Sequence, residues 1–169
     1  MADIFYDETY ARSERVYALR KLTKNNVNYL TNSGFKRVRK KDFTKKTKTY
    51  LVKTYEKESA RHMIMIYEAA NFIKRFAQEV KTFRSVRPDI VFKLNGKNYA
   101  IEVETGITYK KNKKILREKV RLLNQEFKDR WFFLVTDRNF KTKYEEFGKT
   151  LDKRNFKSKL FSLIINAKE

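Results

Sequence analysis

Three acidic residues near the middle of the chain have the types and spacing needed for metal-dependent chemistry. Asp89 follows Pro88, and Glu102 and Glu104 are separated by a single valine. Carboxylate oxygens are the ligands that magnesium and manganese prefer in proteins. A divalent cation held by such groups can activate water and polarise a phosphate. These residues therefore predict a metal-dependent hydrolytic centre, provided that the fold brings them together.

A predicted hairpin over residues 87–106, RPDIVFKLNGKNYAIEVETG, fixes the positions of these acids. Asn95 and Gly96 form a two-residue loop of the kind that joins antiparallel strands, because both residues tolerate positive φ. Counting outward from this loop places Asp89 directly opposite Glu102. Directly opposed side chains have Cβ atoms about 4.5–5.5 Å apart, and like charges there are destabilising. A sheet gains nothing from such a pair, whereas a bound cation would be stabilised by it.

Alternation along the two strands separates an apolar face from an acidic face. The predicted apolar face contains Ile90, Phe92, Leu94, Tyr99, Ile101 and Val103. The predicted acidic face contains Asp89, Val91, Ala100, Glu102 and Glu104. Glu104 lies opposite Arg87 in this register, and Lys93 also lies on the acidic face, so a charge-balanced solvated surface is the alternative to a metal site. Helices should cover these strands, however, and burying unpaired carboxylates is costly.

Composition limits the 169 residues to one ordinary domain, or to one domain with a small appendage. The absence of cysteine excludes a disulfide framework, a thiolate zinc site and a cysteine nucleophile, and the single histidine, His62, excludes a His-rich metal site. No apolar run is long enough to span a membrane, and residues 1–10 lack the apolar core of a signal peptide. We therefore expect a soluble cytoplasmic protein with no membrane partner.

The charge of the chain indicates its partner. Lysine and arginine number 41 against 20 aspartate and glutamate, which gives a net charge of +21. An excess of this size is typical of proteins that bind nucleic-acid phosphates, and a general solubility feature is the alternative. We expect the partner to be DNA, although RNA offers the same phosphate contacts. No dedicated dimer element is evident, so a monomer and a homodimer both fit the sequence.

Residues 1–56 are predicted to form a small basic unit. Its elements are a helix over 13–22, a helix over 24–33 capped by Thr23 and ended by Gly34, and basic strands over 35–41 and 47–55. This order is the outline of a winged-helix-like DNA-binding unit, and a basic segment without specific groove docking is the alternative. Its candidate DNA contacts are Asn25, Asn26, Asn28, Tyr29, Lys36, Arg37, Arg39, Lys40, Lys45 and Lys46.

Residues 57–169 are predicted to form an α/β domain, with a mixed sheet flanked by helices. The predicted helices cover 57–80, 109–128 (capped by Thr108) and 137–151, and the strands beyond the hairpin cover 81–84, 131–136 and 159–165. His62 is expected to be solvated or to serve in capping. The start of the helix over 109–128 offers further candidate DNA contacts, namely Lys110, Lys111, Lys113 and Arg117.

Pro88-Asp89 on one strand and Glu102-Val103-Glu104 on the next resemble the signature of the PD-(D/E)XK nuclease superfamily. The resemblance implies a restriction-endonuclease-like fold in which Asp89 and Glu102 bind magnesium or manganese. Glu104 stands where the family usually has lysine. It could act as the catalytic base, or a lysine of the following helix, Lys114 or Lys110, could take the missing role.

The resemblance also implies a role for Glu68, because some members carry a metal-binding acid on the first helix. A surface acid paired with nearby arginines is the alternative. With the small basic unit in front, the layout is similar to the replication–relaxation (plasmid mobilisation relaxase-like) proteins. We therefore expect a metal-dependent DNA endonuclease or nickase from a mobile element such as a plasmid, phage or transposon. The alternative is a DNA-binding replication, mobilisation or transcription regulator on a nuclease-like scaffold that does not cut.

Overall fold

The chain folds into two sheets and their flanking helices in the computed structural model, which describes residues 15–54, 58–83 and 87–166. A small antiparallel sheet contains β1 (Val16–Ala18), β2 (Lys36–Lys41) and β3 (Thr47–Val52), in the order β1-β3-β2. A larger mixed sheet contains β4 (Glu79–Thr82), β5 (Ile90–Leu94), β6 (Lys97–Glu104), β7 (Trp131–Val135) and β8 (Thr150–Leu151), in sequence order. The helices are α1 (Lys24–Asn32), α2 (Ala60–Ile73), α3 (Ile107–Lys111), α4 (Lys113–Phe127), α5 (Lys141–Glu145) and α6 (Phe156–Asn166). The predicted α/β class, with helices flanking a mixed sheet, is confirmed.

The hairpin of β5 and β6 has the predicted register. Ile90 pairs with Ile101, as counting outward from the turn requires. Asn95 and Gly96 have φ angles of 47° and 74°, the left-handed values that a two-residue turn needs. β4, β5 and β6 are antiparallel neighbours, whereas β6, β7 and β8 run parallel. The predicted buried strand over 131–136 is confirmed as β7, and every residue of β7 is buried.

The two faces of the large sheet pack against different helices. All six residues of the predicted apolar face belong to one core cluster, together with residues of α2 and α6. The opposite face packs against α4 and α5, through contacts among Ala100, Leu116, Phe133 and Tyr144. The predicted separation of the faces is therefore confirmed, and the acidic face is the one that α4 covers.

The small sheet packs on α2 through a third cluster, in which Val16, Tyr50 and Val52 contact Met63 and Ile64. The predicted boundary between residues 56 and 57 lies outside the described residues. None of the described helices combines the length and the apolar character needed to cross a membrane.

The first helix predicted for the small unit is wrong over its described part. Residues 16–18 form β1 and residues 19–21 form a short 3-10 turn, while residues 13 and 14 lie outside the described chain. The strand is favoured because Val16 pairs with Val52 of β3, and sheet pairing outweighs the helical spacing of the apolar residues. The second predicted helix is confirmed as α1, and the Thr23 side chain caps it by accepting from the Asn26 N–H.

The predicted helices of the large unit are shorter than their sequence patterns indicated. α2 begins after Ser59, whose side chain accepts from the His62 N–H, and it ends well before β4, which replaces the expected last turn. The helix predicted over 109–128 is divided at Asn112, whose side chain accepts from the N–H groups of Lys114 and Ile115 and so caps α4. Thr108, the predicted cap, lies inside α3.

The end of the chain differs most from the prediction. Of the helix predicted over 137–151, only a 3-10 turn and α5 form, and its last two residues are β8. The strand predicted over 159–165 is part of α6. Asp152 explains this outcome, because its Oδ1 accepts from the N–H groups of Arg154 and Asn155 and so satisfies donors just ahead of a helix. An apolar run of this length fits a buried helix as well as a strand.

Replacing Gly96 with alanine should lower the free energy of unfolding by about 1 kcal/mol, because a side chain is unfavourable at positive φ. No atom lies within 4 Å of the added Cβ, so the variant isolates the backbone conformation. Urea denaturation measures the change. The control Asn95→Gly keeps the turn, and a Gly96→Ala midpoint equal to that of the parent would contradict the turn geometry.

Candidate metal centre

The hairpin register and the end of β6 bring three carboxylates together beneath α4. Asp89, Glu102 and Glu104 keep only 5%, 7% and 4% of their surfaces exposed. Asp89 stands one residue before β5, and its backbone N–H donates to Glu102 Oε2 at 3.3 Å. The Asp89 backbone and the Glu102 carboxylate are therefore adjacent, as the hairpin register predicted. We call these three residues and the cation that pairs with them, Lys119, the acid centre.

Lys119 on α4 supplies the positive charge of the acid centre. Its Nζ lies 2.6 Å from Glu102 Oε1 and 3.2 Å from Glu104 Oε1. The helix predicted to provide a lysine does so, but the predicted residues are wrong. Lys114 is exposed on the first turn of α4, and Lys110 Nζ lies over the Phe140 ring, 5.2 Å from its centroid.

A signal in the sequence could have identified Lys119. It lies three residues after Leu116 and four before Leu123, and both leucines are buried. Residues at these spacings share one face of a helix, so Lys119 belongs to the face that covers the acids. Lys114 does not have this spacing, since it lies only two residues before Leu116.

Asp89 is held by backbone and by a histidine for which the sequence predicted only a solvated or capping role. The Val103 N–H donates to Asp89 Oδ2 at 2.9 Å. His62 Nε2 lies 3.3 Å from the same oxygen and 3.0 Å from the carbonyl oxygen of Val103. A carbonyl oxygen only accepts, so Nε2 carries a proton. His62 therefore orients the Asp89 carboxylate from the first turn of α2.

Glu104 is fixed by a tyrosine rather than by Arg87. The Tyr144 hydroxyl donates to Glu104 Oε2 at 2.9 Å and accepts from the Tyr109 N–H at 3.3 Å. Arg87 instead lies over the Phe83 ring, 5.3 Å from its centroid. The solvated, charge-balanced surface considered for these acids is wrong, since all three are buried. Tyr144 was missed because it lies 40 residues from Glu104 in the chain.

Burial and the closeness of the acids together set the electrostatics of the acid centre. Burial, together with the nearby Asp89 carboxylate, raises the pKa of Glu102 to about 8, although Lys119 opposes the shift. Burial would lower the pKa of Lys119, but Glu102 and Glu104 outweigh it and the pKa is raised. Burial and the Glu104 carboxylate likewise raise the pKa of Tyr144. Lys119 therefore does not restore an ordinary pKa to Glu102.

The donor chemistry of the acid centre fits a hard divalent cation. Buried carboxyl groups that raise one another's pKa are what an oxygen-liganded magnesium or manganese ion would relieve. In the described part of the chain, no three His, Asp or Glu side chains converge as a ready-made metal group. The Lys119 ammonium lies between two of the acids instead. A metal ion would therefore require Lys119 to move.

Glu68, the remaining predicted metal ligand, does not lie at the acid centre. Its Oε1 accepts from the Tyr50 hydroxyl at 2.9 Å, and its Oε2 lies 3.6 Å from Lys48 Nζ. The expectation that Glu68 binds the same cation is therefore wrong in this geometry. Its partners are a tyrosine and a lysine rather than the arginines that the alternative named.

The predicted DNA contacts fall on two surfaces. One comprises α1 and the β2–β3 hairpin, where Tyr29 is 60% exposed. On this first surface Asn25, Asn28, Lys36, Arg37, Arg39, Lys40, Lys45 and Lys46 are exposed, and Asn26 is half-buried. The second surface lies beside the acid centre, on α3 and α4, where Lys110, Lys111, Lys113 and Arg117 are exposed. Within the described residues, none of the lysines and arginines named in this paragraph forms an ion pair.

Replacing Glu102 with glutamine should stabilise the metal-free protein increasingly as the pH rises. Between the ordinary glutamate pKa and about 8, the folded protein keeps a proton on Glu102 that the unfolded chain has lost, so its stability falls with rising pH. Glu102→Gln removes this titration. The unfolding free energy of the variant minus that of the parent should therefore increase from about pH 5 to about pH 8. Urea denaturation with EDTA present measures this difference.

Glu118→Gln is the matched control for this measurement. The hydrogen bond from Arg121 lowers the pKa of Glu118, so this group is ionised throughout the same pH range in both folded and unfolded states. Its effect on stability should be constant between about pH 5 and about pH 8. A constant difference for Glu102→Gln as well would contradict the raised pKa of Glu102.

Comparison with known proteins finds no relative of this chain. Neither a protein-family model, nor a curated protein, nor a solved structure matches the chain. The function must therefore be inferred from the contacts and charges of the acid centre and of the two basic surfaces.

Proposed function

We propose that the chain is a metal-dependent DNA endonuclease or nickase of the PD-(D/E)XK type. The observation that carries this proposal is the contact of Lys119 with Glu102 and Glu104. The resemblance leaves a glutamate where the family has lysine, and Lys119 brings an ammonium to the same carboxylates from α4. An acid pair with an adjacent lysine is a combination that suits phosphodiester hydrolysis.

The order of elements around the acid centre supports the same proposal. α2 precedes the meander of β4, β5 and β6, and α4 and β7 follow it, with β7 parallel to β6. A helix, a three-strand meander, a helix and a strand in this order would suit a nuclease of this superfamily. The acids lie on the middle strands of that order, on the face that α4 covers.

Asp89 and Glu102 would hold the magnesium or manganese ion, which would supply Lewis-acid polarisation of the phosphate and of water. Asp89 is pre-oriented by the Val103 N–H and by His62, so little freedom is lost when it binds. Glu104, which the Tyr144 hydroxyl holds, would accept a proton from water. Lys119, once it leaves the acids, can neutralise charge on a phosphate oxygen.

The basic residues would hold the substrate. On the first surface, amide and tyrosine side chains of α1 would contact bases while the β2–β3 hairpin contacts phosphates. Lys110, Lys111 and Lys113, beside the acid centre, would hold the strand to be cut. In the cytoplasm of a cell carrying a plasmid or another mobile element, such a protein would nick or cut DNA during replication or mobilisation.

A non-cutting DNA-binding regulator is the second candidate. The observation that favours it is that Lys119 already neutralises Glu102 and Glu104 without a metal ion, as a purely structural ion cluster would require. Such a regulator of replication, mobilisation or transcription would use the same basic surfaces. It would bind DNA as tightly whether or not divalent cations were present.

Asp89→Asn and Glu102→Gln should each abolish magnesium- or manganese-dependent cleavage of supercoiled plasmid while DNA binding is retained. Lys119→Met should reduce the cleavage rate by about 10²–10⁴-fold, the range typical of removing a group that transfers a proton or stabilises charge. Gel assays of plasmid nicking measure the rates. Lys114→Met, on an exposed position of the same helix, is the matched control and should cleave normally. If the parent cuts neither DNA nor RNA with either metal, the enzyme proposal fails.

Arg37→Ala combined with Arg39→Ala should weaken DNA binding and its dependence on salt. Removing one contact to a phosphate should reduce the slope of log K against log salt concentration by about 0.9. Fluorescence anisotropy at several salt concentrations gives the slope. Lys93→Ala combined with Lys97→Ala removes the same charge from the β5–β6 hairpin and should leave the slope nearly unchanged. Equal effects of the two pairs would show that only net charge matters.

A further inference from the structure

A second polar pocket lies where the small sheet meets α2 and α6. Its volume is about 230 Å³. The cations that line it are Arg20, Lys21, Lys48, Arg75 and Lys157. Its walls include the apolar rings of Phe43 and Phe72. No residue of the acid centre lines this pocket, so it is a separate feature of the molecule, which we call the junction pocket.

The two carboxylates of the junction pocket are already satisfied by their neighbours. Asp42 Oδ1 accepts from the N–H and the hydroxyl of Thr44, each at 2.7 Å, and Asp42 Oδ2 lies 2.7 Å from Lys48 Nζ. Although burial opposes it, hydrogen bonds from Lys48 and Thr44 hold the pKa of Asp42 well below its usual range. Glu68 accepts from Tyr50 and also lies near Lys48. Lys48 is therefore the counter-ion of these acids.

The other four cations of the junction pocket are not neutralised in this way. Arg20 and Lys21 come from the 3-10 turn before α1, Arg75 follows α2, and Lys157 lies on α6. None of the four forms an ion pair with another described residue. The charged groups of Arg75 and Lys157 lie 5.6 Å and 5.2 Å from the centroid of the Phe72 ring, and these cation–π contacts restrict both side chains.

We propose that the junction pocket binds a phosphate group. Four like charges drawn together from three elements repel one another, and an anion between them removes that repulsion. Two of the four are arginines, whose planar donors match phosphate oxygens, and both lysines can add point charges. The volume suits one phosphate with part of its substituent, and the rings of Phe43 and Phe72 would contact the apolar part of a sugar.

The phosphate could belong to a nucleic-acid backbone or to a free phosphate ester. The backbone source rests on the proposed function, and it is favoured by position, because Arg20 and Lys21 directly precede α1. A strand bound along α1 would then place one phosphate in the junction pocket. This contact would position the nucleic acid relative to the body of the protein without reading its sequence.

Titration with inorganic phosphate tests the pocket, using NMR or calorimetry at constant ionic strength with chloride as the reference anion. Binding should be saturable in the parent and weaker by about tenfold or more in Arg75→Ala combined with Lys157→Ala. Arg20→Ala combined with Lys21→Ala, from the opposite wall, should weaken it in the same way. Lys93→Ala combined with Lys97→Ala is the charge-matched control and should bind phosphate normally. Non-saturable binding, or equal binding by all variants, would overturn the proposal.

A separate DNA-binding measurement distinguishes the two sources of the phosphate. If the backbone occupies the pocket, Arg75→Ala combined with Lys157→Ala should lower the slope of log K against log salt by about 0.9, the value for one phosphate. Phosphate binding with an unchanged slope would support a free phosphate ester and overturn the backbone source. Asp89→Asn should retain phosphate binding, so loss of cleavage and loss of the pocket are distinguishable outcomes.

Discussion

Three carboxylates buried around one ammonium are the constraint on which the rest of the site depends. Charges of the same sign are rarely buried together, because each has lost its water and repels the others. Here the Asp89 backbone contacts the Glu102 carboxylate, and the Lys119 ammonium contacts Glu102 and Glu104. The contacts from His62, the Val103 N–H and Tyr144 hold the acids in place. This arrangement costs stability unless a further cation joins it.

The acid centre is built by local rules acting on one hairpin. The positive φ angles of Asn95 and Gly96 set the register, and alternation along β5 and β6 then divides apolar from acidic side chains. Because these rules act within one short stretch of chain, the sequence was sufficient to predict which acids would meet and which face they would share. The same locality explains why the Thr23 cap and the buried strand β7 were predicted correctly.

Predictions failed where distant parts of the chain decide the outcome. β1 forms because it pairs with β3. The sequence of residues 13–22 alone does not indicate this pairing. α6 was predicted as a strand because a short apolar run fits either structure, although Asp152 offered a helix-start signal. Tyr144 and His62 reach the acids from elements far along the chain, so only the fold shows their roles. The inward-facing position of Lys119 could have been predicted, because its spacing from the buried leucines of α4 places it on the same helix face.

The molecule has two separate clusters of charged side chains, the acid centre and the junction pocket. The acid centre is deficient in positive charge, whereas the junction pocket is deficient in negative charge, and they share no residue. A nucleic acid with its divalent cations supplies both kinds of charge, phosphate to the cationic surfaces and metal ions to the acids. The two observations are independent, and a single ligand chemistry accounts for both.

The central claim is that Asp89 and Glu102 hold a divalent cation, and manganese binding followed by electron paramagnetic resonance tests it most directly. The account predicts saturable binding of manganese in the parent protein, loss of that binding in Asp89→Asn and in Glu102→Gln, and competition by magnesium. It also predicts normal binding in Glu118→Gln, which removes a carboxylate from the exposed side of α4. Equal manganese binding in the parent and in Asp89→Asn, or none in either, would contradict the account.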